Sequence, residues 1–299
     1  MTPLPPSGRQ VELTAGAARA VVVTTGGGLR SLEADGHPLL DGYDEQEQIS
    51  SGRGQVLVPW PNRVGAGAWT WRGRDLQLPL AEPAKGNAIH GLVRWLDWEV
   101  LERSDSAAVL GAQVQPQPGW PWRTGCRTTY ALRPDHLSVT IAVTNRSAEE
   151  APAGIGMHPY WTLGTPTVDD VSVQLRAGTL LRTDGRGLPT GEEPSTGWDG
   201  PVGAAVLDTA YGGLVRDADG WARVRLSTPS RRLVVELDGA WRWVQLFTGD
   251  TVAPERRRRG LAVEPMTCPP DALRSGRDLD VLAPGQTLTA TWRVRWEGA

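Results

Sequence analysis

The sequence predicts an all-β protein, a large antiparallel β-sandwich, on three observations. Period-two alternation is its strongest local pattern, clearest at 136–145, where Leu137, Val139, Ile141 and Val143 share one face. Glycine and proline, 36 and 24 of 299 residues, make up about a fifth of the chain, enough for many turns yet below low-complexity composition. Helical periodicity is confined to two short stretches, 45–49 and 271–275.

The elements follow in order. Alternating or apolar β-rich runs predict strands at 10–14 and 19–24. Trp69 and Trp71, then Leu76 and Leu78, flank the polar connection Arg72-Gly73-Arg74-Asp75, which suits a hairpin. Further strands are expected at 98–101, 107–114, 126–132, 136–145, 222–226, 233–237 and 241–247. After a Pro284-Gly285 turn, Leu288, Ala290, Trp292, Val294 and Trp296 alternate with Thr289, Thr291, Arg293 and Arg295, so the last stretch reads as a strand. The most loop-like segment is 183–201, with strand patterns on both sides. No shift in composition marks a linker and no fixed-period repeat is evident, so one domain over 1–299 is expected.

Composition excludes several function classes. Lys and Arg number 31 against 34 Asp and Glu, a formal net charge of -3, so nucleic acid is not expected as a partner. Cys126 and Cys268 are too few for a disulfide framework and have no metal-ligand spacing, which points to a reducing compartment. No run approaches a membrane span and the first residues lack a secretory pattern, so a cytoplasmic protein is expected, with no membrane partner. Gly26-Gly27-Gly28 is not followed by Lys and a hydroxyl residue; the single lysine, Lys85, sits elsewhere. A Gly-x-Ser-x-Gly elbow is absent, leaving covalent catalysis without a candidate.

General acid and base residues remain. His37 and His136 sit in polar turn contexts and read as exposed. His90, in Asn87-Ala88-Ile89-His90-Gly91, and His158, in Gly154-Ile155-Gly156-Met157-His158-Pro159-Tyr160, each end an apolar segment beside small residues that let a ligand approach the backbone. Each read alone fits a structural imidazole equally well; as a pair they point to function. Glu264 terminates the apolar run Leu261-Ala262-Val263 before Pro265, a setting for a desolvated base as well as for a strand-end glutamate facing water. Asn62 and Arg63 close the proline-stiffened turn Pro59-Trp60-Pro61, suited to a fork of donors or to a plain surface turn. Asp208 fits a turn cap slightly better than a hydroxyl acceptor, and the four arginines 256–259 fit a solvated loop better than an anion site.

Taken together, the segments Pro59-Trp60-Pro61-Asn62-Arg63, Ile89-His90-Gly91, Gly156-Met157-His158-Pro159-Tyr160, Leu207-Asp208, Val244-Gln245-Leu246-Phe247-Thr248 and Val263-Glu264-Pro265-Met266-Thr267 resemble, in order, those of aldose 1-epimerases, the galactose mutarotases. The likeness spans most of the chain. It implies a supersandwich with the sugar in an open cleft on one sheet, His158 as general acid, Glu264 as general base, and Asn62, Arg63, His90, Asp208 and Gln245 as sugar-binding positions. It implies no metal and no organic cofactor, a monosaccharide as the small-molecule partner, and leaves a monomer or a homodimer open. Trp161 departs from the family, where Phe is more usual, and the loops are abbreviated.

The chemistry implied is ring opening and closure, with a bell-shaped pH profile expected from ionised Glu264 and protonated His158. Three alternatives use the same residues: a non-catalytic carbohydrate-binding protein, an epimerase of a phosphorylated or sulfonated hexose, and a metal enzyme built on His90, His158 and Glu264, whose spacings are not diagnostic.

Overall fold

The computed structural model describes residues 4–297. Two large antiparallel sheets dominate. The first has nine strands in the order Glu99–Arg103, Ala107–Val114, Thr124–Arg133, His136–Asn145, Thr287–Glu297, Arg232–Leu237, Ala222–Ser227, Ser172–Leu175 and Trp198–Pro201. The second runs Pro189–Pro194, Ala177–Thr183, Asp208–Leu214, Trp243–Phe247, Leu261–Met266, Gly156–Met157 and Val56–Leu57, with Tyr160–Trp161 also paired to Leu261–Met266. A smaller sheet of Gln10–Ala15, Ala18–Val23, Leu29–Ala34 and His37–Pro38 accompanies them. Among the described residues no helix is long and apolar enough to cross a membrane.

Alternation decides what each face does. In His136–Asn145 the odd-numbered residues Leu137, Val139, Ile141 and Val143 are buried, and their cross-strand partners on Thr287–Glu297 include Ala290, Trp292 and Val294, so one face supplies a continuous apolar layer. Val244, Leu246, Leu261 and Val263 supply the facing layer from the second sheet and belong to the same buried cluster. Trp161, opposite Leu261, meets Trp292 edge-on at 5.9 Å between ring centroids, bridging the two layers. The departure at Trp161 is therefore a core substitution and lies away from the face that carries Tyr160.

Several sequence expectations need correction. Residues 45–49 form no helix; the segment makes only a turn, Glu47 N donating to Asp44 O at 3.0 Å, and Glu47 instead pairs with Arg256. The segment 183–201 holds two strands, Pro189–Pro194 and Trp198–Pro201, each at the edge of a large sheet. The hairpin loop is shorter than read: Trp71 pairs with Arg74, leaving Arg72 and Gly73 at φ 48° and 79°, the two left-handed positions of a tight turn. The expected strand at 98–101 is Glu99–Arg103, and Trp98 is fully buried before it. The short helix Ala272–Ser275 is present, and 3-10 turns occur at Val168–Asp170 and Pro254–Arg256.

Candidate active site

Strand register assembles the site. In antiparallel pairs, directly opposed residues point to the same side. Gln245 is opposite Glu264, Phe247 opposite both Ala262 and Asp208, and Ala262 opposite Tyr160. Because Val244, Leu246, Leu261 and Val263 face the core, Gln245, Phe247, Glu264, Tyr160 and Asp208 all project from the other face of the eight-stranded sheet. Gln245 Nε2 donates to Asp208 Oδ1 at 2.6 Å.

His158 follows Gly156–Met157 and is fixed by its backbone: its N–H donates to Gln55 O at 3.2 Å and its carbonyl accepts from Gly54 N at 2.9 Å. Its imidazole stacks on Tyr160 at 4.8 Å and 11° and meets Phe247 edge-on at 6.5 Å. Nε2 lies 3.3 Å from Glu264 Oε1, with both side chains almost wholly buried. Gly52 is required here, since a Cβ at its φ of 69° would stand 2.9 Å from His158 Cδ2.

A second small ladder brings up Asn62, Arg63 and His90. Arg63–Gly65 pairs with Asn87–Ile89, and the flanking Asn62 and His90 both take left-handed conformations, φ 54° and 62°. They hold each other: His90 N donates to Asn62 O at 2.9 Å, and Asn62 N donates to His90 Nδ1 at 3.2 Å. Nδ1 is thus the acceptor, so neutral His90 carries its proton on Nε2. The His90 ring sits 5.3 Å from that of His158. At Gly91 a Cβ would fall 2.1 Å from Val58 O, which explains glycine after the histidine. Arg63 forks onto Glu82 through Nε and Nη2 at 2.9 and 3.0 Å, and its Nη1 is 3.6 Å from Asp208 Oδ2.

The seven sequence candidates therefore converge on one surface. The exposed Asp208 and part-exposed Arg63 border the buried set of Asn62, His90, His158, Gln245 and Glu264. Asp208 opens the strand Asp208–Leu214 and accepts from Gln245, so its role is not that of a turn cap. Glu82, Tyr160 and Phe247 were not singled out as site residues. Tyr160 and Phe247 lie inside the motif segments, two residues after His158 and Gln245, where a period of two would have placed them on the same face as those residues; Glu82 has no comparable signal.

Electrostatics set the resting protonation. Burial pushes Glu264 well above the usual carboxylate range, the nearby Asp208 charge adds to this, and Arg63 opposes it. Burial, with the Arg53 and Arg94 charges, lowers His158 to about 3. His90 is also pushed well down by burial, Arg94, His158 and Arg63. Both shifts disfavour charge, so the ligand-free pair is biased toward a protonated Glu264 opposite a neutral His158. Unpartnered atoms remain: Glu264 Oε2, Gln245 Oε1 and His158 Nδ1 are buried without a hydrogen bond. Such a set of unused acceptors and donors fits a polyhydroxylated ligand. Among the described residues no group of three or more His, Cys, Asp or Glu is arranged to hold a metal ion. The arginines 256–259 are not simply solvated: Arg256 pairs with Asp41 and Glu47, and Arg258 with Asp169 and Asp250.

A family model for aldose 1-epimerase matches residues 9–295. The chain is 34% identical to the uncharacterized protein YihR of Escherichia coli (strain K12), over 94% of this chain and 91% of that one. It is 29% identical to the galactose mutarotase of Pongo abelii over 161 residues, covering 51% of this chain and 44% of the relative. The solved structure of a GalM/aldose epimerase homologue from C. elegans shares the fold at TM-score 0.85 and 16% identity, covering 97% and 99% of the two chains. The order of the site segments, the sheet that presents them and the match over residues 9–295 lead to one assignment: this chain belongs to the aldose 1-epimerase family.

Proposed function

We propose that this protein interconverts the α and β anomers of a free aldose such as glucose or galactose, without a cofactor, and that the whole chain acts as one catalytic unit. The observation that carries this reading is the buried His158 and Glu264 pair, 3.3 Å apart on the sheet face where the hydroxyl-binding groups gather. Anomer exchange needs a base for the C1 hydroxyl proton and an acid for the ring oxygen. Ionised Glu264 takes the O1 proton as the electron pair forms the C1 carbonyl; the C1–O5 bond breaks and protonated His158 supplies a proton to O5. Rotation about C1–C2 presents the other carbonyl face, and the two groups then close the ring with roles reversed.

The reactive form, ionised Glu264 with protonated His158, contains the same single shared proton as the uncharged pair that burial favours. Activation is a proton shift within the pair rather than uptake from solvent. Arg63, Asn62, His90, Asp208 and Gln245 hold the ring hydroxyls in register, which makes each proton transfer effectively unimolecular. The orangutan galactose mutarotase supports this substrate class.

Polarimetry on freshly dissolved α-D-glucose and α-D-galactose, with wild-type protein and Glu264→Gln, tests the reading. Acceleration of mutarotation that is lost in the variant supports it; no acceleration of either sugar rejects it for these aldoses. Because burial raises Glu264 and lowers His158 to about 3, the order of the two pKa values reverses. The limbs of kcat/KM are expected to move from those of an ordinary glutamate and histidine, the acid limb toward the lowered His158 value and the alkaline limb toward the raised Glu264 one. A narrow optimum set by unshifted groups would count against the pair.

A further inference from the structure

Behind the candidate site lies a second layer that neither the ring chemistry nor the sugar contacts use. Arg53 is 1% exposed. Its Nη2 donates to Asp41 Oδ2 at 2.9 Å and its Nε to Asp41 O at 2.9 Å. Its Nη1 has no hydrogen-bond acceptor, and its Cζ lies 4.3 Å from the centroid of the Tyr160 ring. The same ring also stacks with the His158 imidazole, nearly parallel at 4.8 Å. Guanidinium, phenol and imidazole therefore form a connected series ending at the atom that faces Glu264. Its middle member is held through both backbone and hydroxyl. Asp41 N donates to Tyr160 O at 2.8 Å, and Tyr160 Oη donates to Ser51 O at 3.1 Å. Arg256, from the arginine run, reaches Asp41 Oδ1 at 3.5 Å and donates to Gly42 O at 3.0 Å.

A buried ion pair is a poor way to gain stability, because desolvation of both charges offsets their attraction. Arg53 and Asp41 make no side-chain hydrogen bond or ion pair with any of the sugar-binding positions. We propose that Arg53 is a positioning residue for His158, acting through the Tyr160 ring and held in place by Asp41. The inference rests on the proposed role of His158 as the acid. The charged or titratable groups around that imidazole are Glu264, His90, Tyr160, Arg53, Arg63 and Arg94. Of these, Arg53 alone reaches it through a stacked ring. His158 Nδ1 has no hydrogen-bond partner to set its plane, so packing against its neighbours, the parallel Tyr160 ring among them, orients Nε2.

The test compares Arg53→Met, Arg53→Lys and Tyr160→Leu with wild type. Each is followed by mutarotation kinetics, thermal unfolding and NMR of the ¹⁵N-labelled His158 ring in the ligand-free protein. Misplacing a catalytic group by about 1 Å costs on the order of 10²-fold. Arg53→Met is expected to lower kcat by roughly 10- to 100-fold with KM within about threefold, with partial recovery in Arg53→Lys. The His158 ring signals are expected to move in both Arg53→Met and Tyr160→Leu. A folded Arg53→Met with wild-type kcat and unmoved His158 signals overturns the proposal, whatever its unfolding temperature. If Arg53→Met fails to fold, Tyr160→Leu decides, since it removes the transmitting ring and leaves the Arg53 and Asp41 pair intact; unmoved His158 signals there overturn it. If wild type accelerates no aldose, the functional reading fails by itself, and the NMR comparison still decides the stack.

Discussion

Two buried glutamates sit on central strands of the two large sheets, and they are treated in opposite ways. Glu236, in Arg232–Leu237 of the nine-stranded sheet, is 4% exposed and is met by Arg223, Arg293 and Arg295 at 3.0, 3.3 and 3.1 Å. Glu264, in Leu261–Met266 of the eight-stranded sheet, is 2% exposed, has no guanidinium within ion-pairing distance among the described residues, and leaves Oε2 without a partner. Burial alone therefore does not separate a structural carboxylate from a chemical one; the completeness of its partners does. The cost of a buried unmet polar atom is about 1–3 kcal/mol, so Glu264 carries a cost that the fully paired Glu236 avoids. The surrounding strands repeat the contrast. His136–Asn145 buries every second residue, whereas Leu261–Met266 is buried on both faces, so any polar side chain there needs a reason.

Substitutions on each side sharpen the contrast. The largest effect is expected on turnover: Glu264→Gln and His158→Asn should each lower kcat by about 10²–10⁴-fold, with KM within about tenfold, in polarimetric assays. Near-wild-type turnover in Glu264→Gln would place Glu264 in the same structural class as Glu236, and in His158→Asn would remove His158 as the acid. Next, Glu236→Gln should lower stability by about 1–3 kcal/mol in urea unfolding, a figure reduced by the partial exposure of its arginines, while turnover per folded molecule stays constant. A loss of activity without loss of stability would invert the comparison.

A smaller effect concerns pH. Native Glu264 keeps its proton where the unfolded chain releases it, so wild-type stability falls as pH rises from the ordinary carboxylate range to the raised native value. Glu264→Gln lacks this penalty, so its stability advantage in thermal melts should grow across that window. An advantage independent of pH would mean that Glu264 is not held protonated. The smallest effect is expected on the outer face of the nine-stranded sheet. Thr140, whose Oγ1 is 3.0 Å from that of Thr291, should tolerate alanine within about 0.5 kcal/mol.

Much of this was legible in the sequence because the central strands carry their own pattern. His136–Asn145 and Thr287–Glu297 alternate so regularly that face, partner side and core membership follow from residue type. The edge strands were not legible for the converse reason. Pro189–Pro194 and Trp198–Pro201 each pair along one side only, so proline and charge are tolerated there and the segment reads as a loop. For the site, polar residues that interrupt apolar runs, such as Glu264, Gln245 and His158, stand out in one dimension. Glu82 lies in a polar stretch, and only folding brings it to the Arg63 guanidinium. Arg256 and Arg258 show the same limit, since a run of like charges reads as solvated until its separate acidic partners come into place.

The strand Thr287–Glu297 occupies the middle of the nine-stranded sheet, hydrogen-bonded to His136–Asn145 on one side and Arg232–Leu237 on the other. During biosynthesis it emerges after every strand it joins. Until then the two halves of the sheet are separate edges with their apolar faces open, the kind of species that aggregates or recruits chaperones. Completion of the ladder is thus tied to the end of translation of this segment, and a chain stopped before residue 287 would retain all seven site residues yet lack the strand that joins the halves of the sheet.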